Sequence, residues 1–100
     1  MEKRTPHYGL ATCQSLIAST GVASFTRTAL DGGRNMGLTS AEMLAVIATL
    51  EVRHFYKSMT TYADHRVWQD VYHAPTPGKK IAYIKITLRH CAPVIQFKEK

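Results

Sequence analysis

Along the segment FYKSMTTYADHRVWQDVY, residues 55–72, the side-chain pattern changes from a helical period to a strand-like one. Side chains alternate between two faces over residues 55–62 and again over 67–72, and the intervening ADHR, residues 63–66, provides turn chemistry. This stretch therefore predicts a β-hairpin, with mainly helical patterns before it and mainly strand patterns after it.

Two polar residues of this hairpin, Lys57 and Gln69, occupy strand positions that a simple buried hairpin would leave apolar. We predict that the hairpin is half of an active or binding face. By the same alternation Tyr56, Trp68 and Tyr72 fall on the opposite face, which assigns these aromatic rings to packing.

The N-terminal half predicts helices. Residues 1–9 form a polar arm or short edge strand, and a helix over residues 10–20 ends at Gly21. Ser24 is predicted to cap a second helix, which the glycine pair at 32–33 should break or bend near residues 31–34. The remaining elements follow in order: a helix from the Thr39–Glu42 capping box to Leu50, a loop at 74–80, a strand at 81–90, and a last strand at 94–98 that Pro93 can only begin.

Helices followed by meandering strands predict an α+β fold, with N-terminal helices packed on one face of a mostly antiparallel sheet. A chain of 100 residues fits one domain, residues 1–100. Cys13 and Cys91 have no disulfide or metal spacing, so we expect reduced, mostly buried thiols in a cytoplasmic protein. The start of the chain does not resemble a signal peptide, and no segment is apolar enough to span a membrane.

The formal net charge of +6 is uneven, with +1 in residues 1–50 and +5 in residues 51–100. A basic excess in the strand-rich half favours a polyanionic partner such as nucleic acid, although solubility alone also accounts for such a charge. If one sheet face is covered by helices, the other carries five polar side chains of the last two strands together with Lys57 and Gln69; the five are Tyr83, Lys85, Thr87, Gln96 and Lys98. Lysines, a tyrosine and a glutamine on one surface suit a phosphodiester.

The histidines form no metal or catalytic spacing, and the sequence has no glycine-rich phosphate loop, paired carboxylate motif or nucleophile context. We therefore expect no metal and no cofactor. From these residues alone, a solvated face, a non-catalytic nucleic-acid-binding module and a nuclease all remain open.

The sequence resembles the motility quorum-sensing regulator (MqsR) family of bacterial toxins. The resemblance covers the whole chain and rests on five segments: MEKRTPH at 1–7, FYKSMTTYADH at 55–65, WQDVY at 68–72, YIKIT at 83–87 and FKEK at 97–100. It implies a RelE-like ribonuclease toxin fold and an mRNA interferase that cleaves single-stranded mRNA at short GC-containing sites, with or without ribosomes. It also implies a cognate antitoxin, and operator DNA contacted through the antitoxin complex.

Match to the family motifs implies a catalytic set of Lys57, Gln69, Tyr83 and Lys98. We expect Met59 to line a base pocket, and Lys85 and His7 to contact substrate. The predicted chemistry is metal-independent attack by the RNA 2′-hydroxyl on the adjacent phosphorus. The alternative is a binding or regulatory module that acts in an antitoxin–DNA complex without catalysis. Three features depart from the family pattern: the glycine pair at 32–33, the Pro- and Lys-rich 74–80 loop, and Pro93.

Overall fold

Three helices lie on one side of a five-stranded sheet in the computed structural model, which describes all 100 residues. The helices are α1 (Leu10–Thr20), α2 (Arg27–Asn35) and α3 (Ser40–Ala48), and the strands are β1 (Glu2–Lys3), β2 (Phe55–Thr60), β3 (Trp68–Pro75), β4 (Ile81–Arg89) and β5 (Ala92–Glu99). The strands follow chain order across the sheet, and every neighbouring pair is antiparallel. The α+β prediction is confirmed, and the arrangement is consistent with a RelE-like toxin fold.

The core lies between the helices and the sheet face that alternation predicted to be buried. Ile84, Ile86, Ile95 and Phe97 leave at most 2% of their surface exposed, and Tyr72 joins them. The helices supply the other side of this core, chiefly Cys13, Ile17, Ala29, Met43, Val46 and Ile47. Burying one side chain in two along each strand fixes the sheet register, because a slip of one residue would turn every apolar group to the open face.

Two helix ends form as the sequence predicts. Gly21 follows α1 with φ 67°, a conformation that favours glycine, and its amide donates to the Ile17 carbonyl. Helix α3 begins with the capping box, in which the Thr39 hydroxyl accepts from the Glu42 amide and the Glu42 carboxylate accepts from the Thr39 amide.

Helix α2 corrects two predictions. Residues Gly21–Ser24 form a 3-10 turn, so the cap is Thr26, whose hydroxyl accepts from the Ala29 amide, and Ser24 is buried instead. The helix also runs unbroken through Gly32 and Gly33. A Cβ on Gly32 would lie 2.1 Å from the Phe97 carbonyl oxygen, so the missing side chain lets α2 approach β5 closely. Tertiary packing outweighs the low helix propensity of glycine here.

Three strand boundaries also differ from the predicted ones. Strand β2 ends at Thr60 rather than at residue 62, and β3 continues to Pro75, so the loop shortens to 76–80. Strand β5 begins at Ala92 and contains Pro93, which pairs with Leu88. A proline fits there because β5 is an edge strand, where one backbone side needs no ladder partner.

The N-terminal arm is held to the sheet by a buried carboxylate. Asp70 is 1% exposed and accepts hydrogen bonds from the His7 amide (3.0 Å), the Tyr8 amide (2.9 Å) and the Ser58 hydroxyl (2.6 Å). These bonds fix the arm where β1 pairs with β2, with Glu2 opposite Met59. The arm is therefore an ordered edge of the sheet.

Cys13 is buried as expected, whereas Cys91 is exposed in the turn between β4 and β5, so the prediction of mostly buried thiols is wrong for Cys91. None of the helices has the length and hydropathy that a membrane-crossing helix needs.

Candidate active site

The open face of the sheet carries its polar side chains in three rows that run across the strands. The register gives the rows as Glu2–Met59–Gln69, Lys57–Val71–Lys85–Gln96 and His73–Tyr83–Lys98. Directly paired residues on one face have their Cβ atoms about 5 Å apart. Lys57, Gln69, Tyr83 and Lys98 therefore share one surface, together with Met59 and Lys85. Their catalytic role stays a prediction.

The side chains of the middle row shield an apolar residue, Val71, from solvent. Val71 is fully buried although it lies on the open face, because it pairs with Lys57 on one side and Lys85 on the other. Long lysine stems cover apolar surface while their ammonium groups stay near water. Both lysines are accordingly half-buried rather than free in solvent.

A row of three aromatic rings connects the two outer lysines. Tyr56 stacks on His73 with ring centroids 4.4 Å apart, and His73 lies 5.4 Å from the ring of Tyr83. The Lys57 Nζ is 5.4 Å from the Tyr56 centroid, and the Lys98 Nζ is 5.2 Å from the Tyr83 centroid. The ring row is thus flanked by a cation at each end, within the range of cation–π attraction.

The position of Tyr56 corrects the sequence prediction that assigned it to packing on the opposite face. A register shift between Phe55 and Lys57 breaks the simple alternation of β2 and turns the Tyr56 ring toward His73. Tyr56 is 44% exposed and belongs to the candidate site. Tyr72 is buried in the core as predicted.

His7 and Trp68 lie elsewhere. The ring of His7 stacks on Trp68 at 5.4 Å, and the Lys3 ammonium lies 4.2 Å over the same indole. Trp68 is next to Gln69 on β3 and so points to the other face of the sheet. The structure does not bring His7 together with the four residues of the predicted catalytic set, and Trp68 packs against the arm rather than in the core.

Two pockets flank the three rows. One, of about 190 Å³, lies between the first turn of α2 and β4–β5 and is lined by Thr28, Ala29, Tyr83, Lys85, Gln96, Phe97 and Lys98. The other, of about 260 Å³, adjoins Met59 and is lined by Met1, Glu2, Met59, Thr60, Thr61, Tyr62 and His65. Met59 therefore lines a pocket, and its contact with an RNA base stays a prediction. Between the pockets, Gln69 Nε2 donates to the Thr87 hydroxyl over 3.4 Å.

Sequence reasoning missed Glu2 and His73. The Glu2 carboxylate accepts a hydrogen bond from the Lys57 ammonium, and this bond raises the pKa of Lys57 while it lowers the pKa of Glu2. Burial lowers the pKa of His73, and its Nε2 is buried without a partner. Glu2 could be found only from the pairing of β1 with β2. The alternation of β3 through residue 75 would have placed His73, had the strand not been ended at Tyr72.

Comparison with known proteins shows the family of the chain. The sequence profile of a toxin family described as "Motility quorum-sensing regulator, toxin of MqsA" matches residues 5–99. The chain belongs to this family. A member of the MqsR family from Escherichia coli (strain K12), named mRNA interferase toxin MqsR, is 44% identical over 100 residues, and the alignment spans the whole of both chains. The resemblance seen in the sequence is therefore confirmed, and the surface described above is the candidate active site of an MqsR-family toxin.

Proposed function

We propose that this MqsR-family protein is an endoribonuclease toxin that cleaves single-stranded mRNA. The observation that carries the proposal is the convergence of Lys57, Lys85 and Lys98 on one sheet face, together with Gln69 and Tyr83. The ammonium groups of Lys57 and Lys98 attract a phosphodiester and stabilise the negative charge that grows on phosphorus. The name of the Escherichia coli relative gives the substrate class.

The proposed reaction is attack by the 2′-hydroxyl of the RNA on its own 3′-phosphate. Lys57 and Lys98 stabilise the pentavalent phosphate, Gln69 positions the substrate, and one of Lys57, Tyr83 and Lys98 transfers a proton. The products are a 2′,3′-cyclic phosphate and a 5′-hydroxyl end. The protein's own ammonium groups supply the positive charge, so we propose that cleavage needs no divalent ion.

Bases next to the scissile phosphate have two kinds of surface to bind. The exposed ring of Tyr56 offers a stacking face, and the pocket beside Met59 combines an apolar floor with the Glu2 carboxylate and threonine hydroxyls. We propose that these two surfaces give the preference for short GC-containing sites that the family resemblance implies.

We also propose that a cognate antitoxin neutralises the protein and that the complex contacts operator DNA. The family description names MqsA as the partner of the toxin. Charge supports the DNA contact, because residues 51–100 carry a net charge of +5.

The test is to incubate purified protein with a defined single-stranded RNA in EDTA, without ribosomes, and to map the ends of the fragments. We expect cyclic phosphate and 5′-hydroxyl ends. Lys57→Ala should lower the cleavage rate by about 10²–10³-fold, the usual effect of removing a preorganised charge donor, with an unchanged melting temperature. RNA that is retarded in a gel but stays intact would favour the non-catalytic binding module, and cleavage that requires a divalent ion would refute the metal-independent mechanism.

A further inference from the structure

Lys85 holds the central position of the candidate site. It lies in the middle of β4, pairs with Val71 of β3 and Gln96 of β5, and lines the 190 Å³ pocket together with Tyr83 and Lys98. Its side chain is half-buried, whereas Lys98 at the rim is exposed. A substrate phosphate held between the outer lysines would therefore lie over Lys85.

The three lysines of the face differ in their partners. Lys57 is paired with Glu2, and Lys98 lies against the ring of Tyr83, but Lys85 makes no ion pair. The titratable groups that face Lys85 are Lys57 with Glu2 behind it on β2 and β1, His73 on β3, Tyr83 on its own strand and Lys98 on β5. The two nearest charged groups on the face are both cations.

This environment makes the charged form of Lys85 less favourable than it is for a lysine in water. Burial lowers the pKa of Lys85, and the ammonium groups of Lys98 and Lys57 lower it further. The Glu2 hydrogen bond has the opposite effect on the pKa of Lys57, which it raises. One lysine is thus held as a cation and its neighbour is pushed toward the form that can accept a proton.

We propose that Lys85 is the general base of the reaction and takes the proton from the 2′-hydroxyl of the RNA. As the O2′–H proton moves to Lys85 Nζ, the O2′–P bond forms and the P–O5′ bond breaks. The leaving 5′-oxygen takes a proton from the Lys98 ammonium, and both lysines then exchange protons with water and return to their starting states. This assignment rests on the proposed ribonuclease function and gives Lys85 a catalytic role beyond substrate contact.

The assignment also explains why two lysines are needed around a third. Lys57 stabilises charge throughout the reaction because Glu2 keeps it protonated, and Lys98 at the rim is free to give its proton to the leaving group. A general base contributes about 10²–10⁴-fold to a rate. A phosphate bound over a positively charged Lys85 would gain affinity but would leave the 2′-hydroxyl without an acceptor.

The experiment compares arginine and smaller replacements at the three lysines, with initial rates of cleavage of a short RNA as the readout. Lys85→Arg keeps the charge but cannot accept a proton at neutral pH, so it should lose about 10²–10³-fold in kcat. Lys57→Arg should lose less than Lys85→Arg, because a fixed cation retains the electrostatic role of Lys57, whereas Lys98→Arg should also be slow because arginine does not release a proton to the leaving group at neutral pH. Lys80→Ala is the matched control, because Lys80 pairs with Glu99 outside the three rows.

Two readouts separate a base from a structural lysine. Small primary amines added to Lys85→Ala should restore cleavage with a log-linear dependence on amine pKa, and they should not change the rate of Lys80→Ala. For the wild type, kcat/KM should rise with pH up to a pKa below the ordinary lysine value of 10.5. Lys98→Gln should move this rise in kcat/KM to higher pH, because it removes a cation that lowers the pKa of Lys85.

Lys85→Met removes the amine but retains the aliphatic stem over Val71, so it replaces Lys85→Ala in these experiments if the alanine variant does not fold. Binding of a 2′-O-methyl RNA, which cannot be cleaved, should persist in Lys85→Met. An active Lys85→Arg with the wild-type pH profile, or the absence of amine rescue in a folded Lys85→Ala, would overturn the assignment. A wild type that does not cleave RNA would instead overturn the proposed function.

Discussion

Substitution of Gly32 by alanine tests the packing that positions Lys98. Helix propensity alone predicts that Gly32→Ala in the middle of α2 stabilises the protein by about 1 kcal/mol. The structure predicts the opposite, because the new Cβ would lie 2.1 Å from the Phe97 carbonyl oxygen. Ordinary van der Waals contact begins at 3.4 Å, so α2 and β5 must separate by the difference, 1.3 Å.

The cost of this separation exceeds the gain in propensity. Overpacking in a close-packed protein costs about 1–3 kcal/mol, and this site belongs at the upper end because the obstacle is the backbone of a paired strand. Set against the propensity gain, the net loss is about 2 kcal/mol in the free energy of unfolding, or about 8–16 °C in melting temperature for a domain of this size. The Lys98 Cα lies 3.2 Å from the same Cβ, so cleavage should also fall by about 10²-fold at temperatures where the variant is folded.

Gly33→Ala is the matched comparison on the same helix. Its Cβ would meet the sulfur of Met43 at 2.2 Å, and Met43 is a flexible side chain that can be shortened. In a Met43→Val background Gly33→Ala should become stabilising, whereas no side-chain substitution should rescue Gly32→Ala. Thermal melts of the single and double variants measure both effects. A Gly32→Ala protein that melts higher than the wild type and cleaves RNA normally would refute the close approach of α2 to β5.

Four further outcomes follow from individual contacts. Asp70→Asn should lower the free energy of unfolding in urea by about 2–4 kcal/mol, because it replaces a buried acceptor of three hydrogen bonds; an unchanged transition would contradict this. The double substitution His90→Asn, Cys91→Gly should raise the free energy of unfolding by about 1 kcal/mol, because both residues have positive φ (52° and 65°) in a two-residue hairpin turn. Equal or lower stability would count against backbone strain in this turn. Tyr56→Leu should weaken single-stranded RNA binding by about 1–3 kcal/mol while Tyr56→Phe, the matched control that keeps the stacking ring, does not; equal binding by both variants would contradict stacking. Glu2→Gln should lower KM for RNA by about two- to fivefold, the range of a surface ion pair. The difference in KM between the variant and the wild type should vanish as pH falls through the Glu2 pKa, which lies below 4.5, because the wild-type carboxylate is then neutral as well. A difference in KM that persists at that pH would refute the ion-pair explanation.

The alternation of polar and apolar side chains was enough to predict most of the strands and which face of the sheet the helices cover. Because strand side chains repeat every two residues, the apolar sets of β4 and β5 identify the covered face, and Lys85 and Lys98 must then lie on the open one. The same reasoning failed at Tyr56, where a register shift interrupts the period. A bulge leaves no mark in a polar–apolar pattern, so the row of Tyr56, His73 and Tyr83 rings could be found only from the structure.

The helical half shows the other limit of sequence reasoning. The capping box at Thr39 was predictable because all its partners lie within four residues. The continuity of α2 was not, since Gly32 and Gly33 are explained by Phe97 and Met43, which are distant in sequence or belong to another helix. Glu2 was missed for the same reason: its partner Lys57 is 55 residues away.

The buried Asp70 carboxylate and the candidate site are connected through the N-terminal arm. Asp70 points to the covered face of the sheet, yet it holds the amides of His7 and Tyr8 and so keeps β1 in register with β2. That register brings Glu2 to Lys57, the one lysine of the face with a carboxylate partner. Releasing the arm would therefore change the charge balance among the three lysines without touching any of them. A folded Asp70→Asn protein should then share the lowered KM of Glu2→Gln, whereas the two effects would be independent if the arm stayed in place.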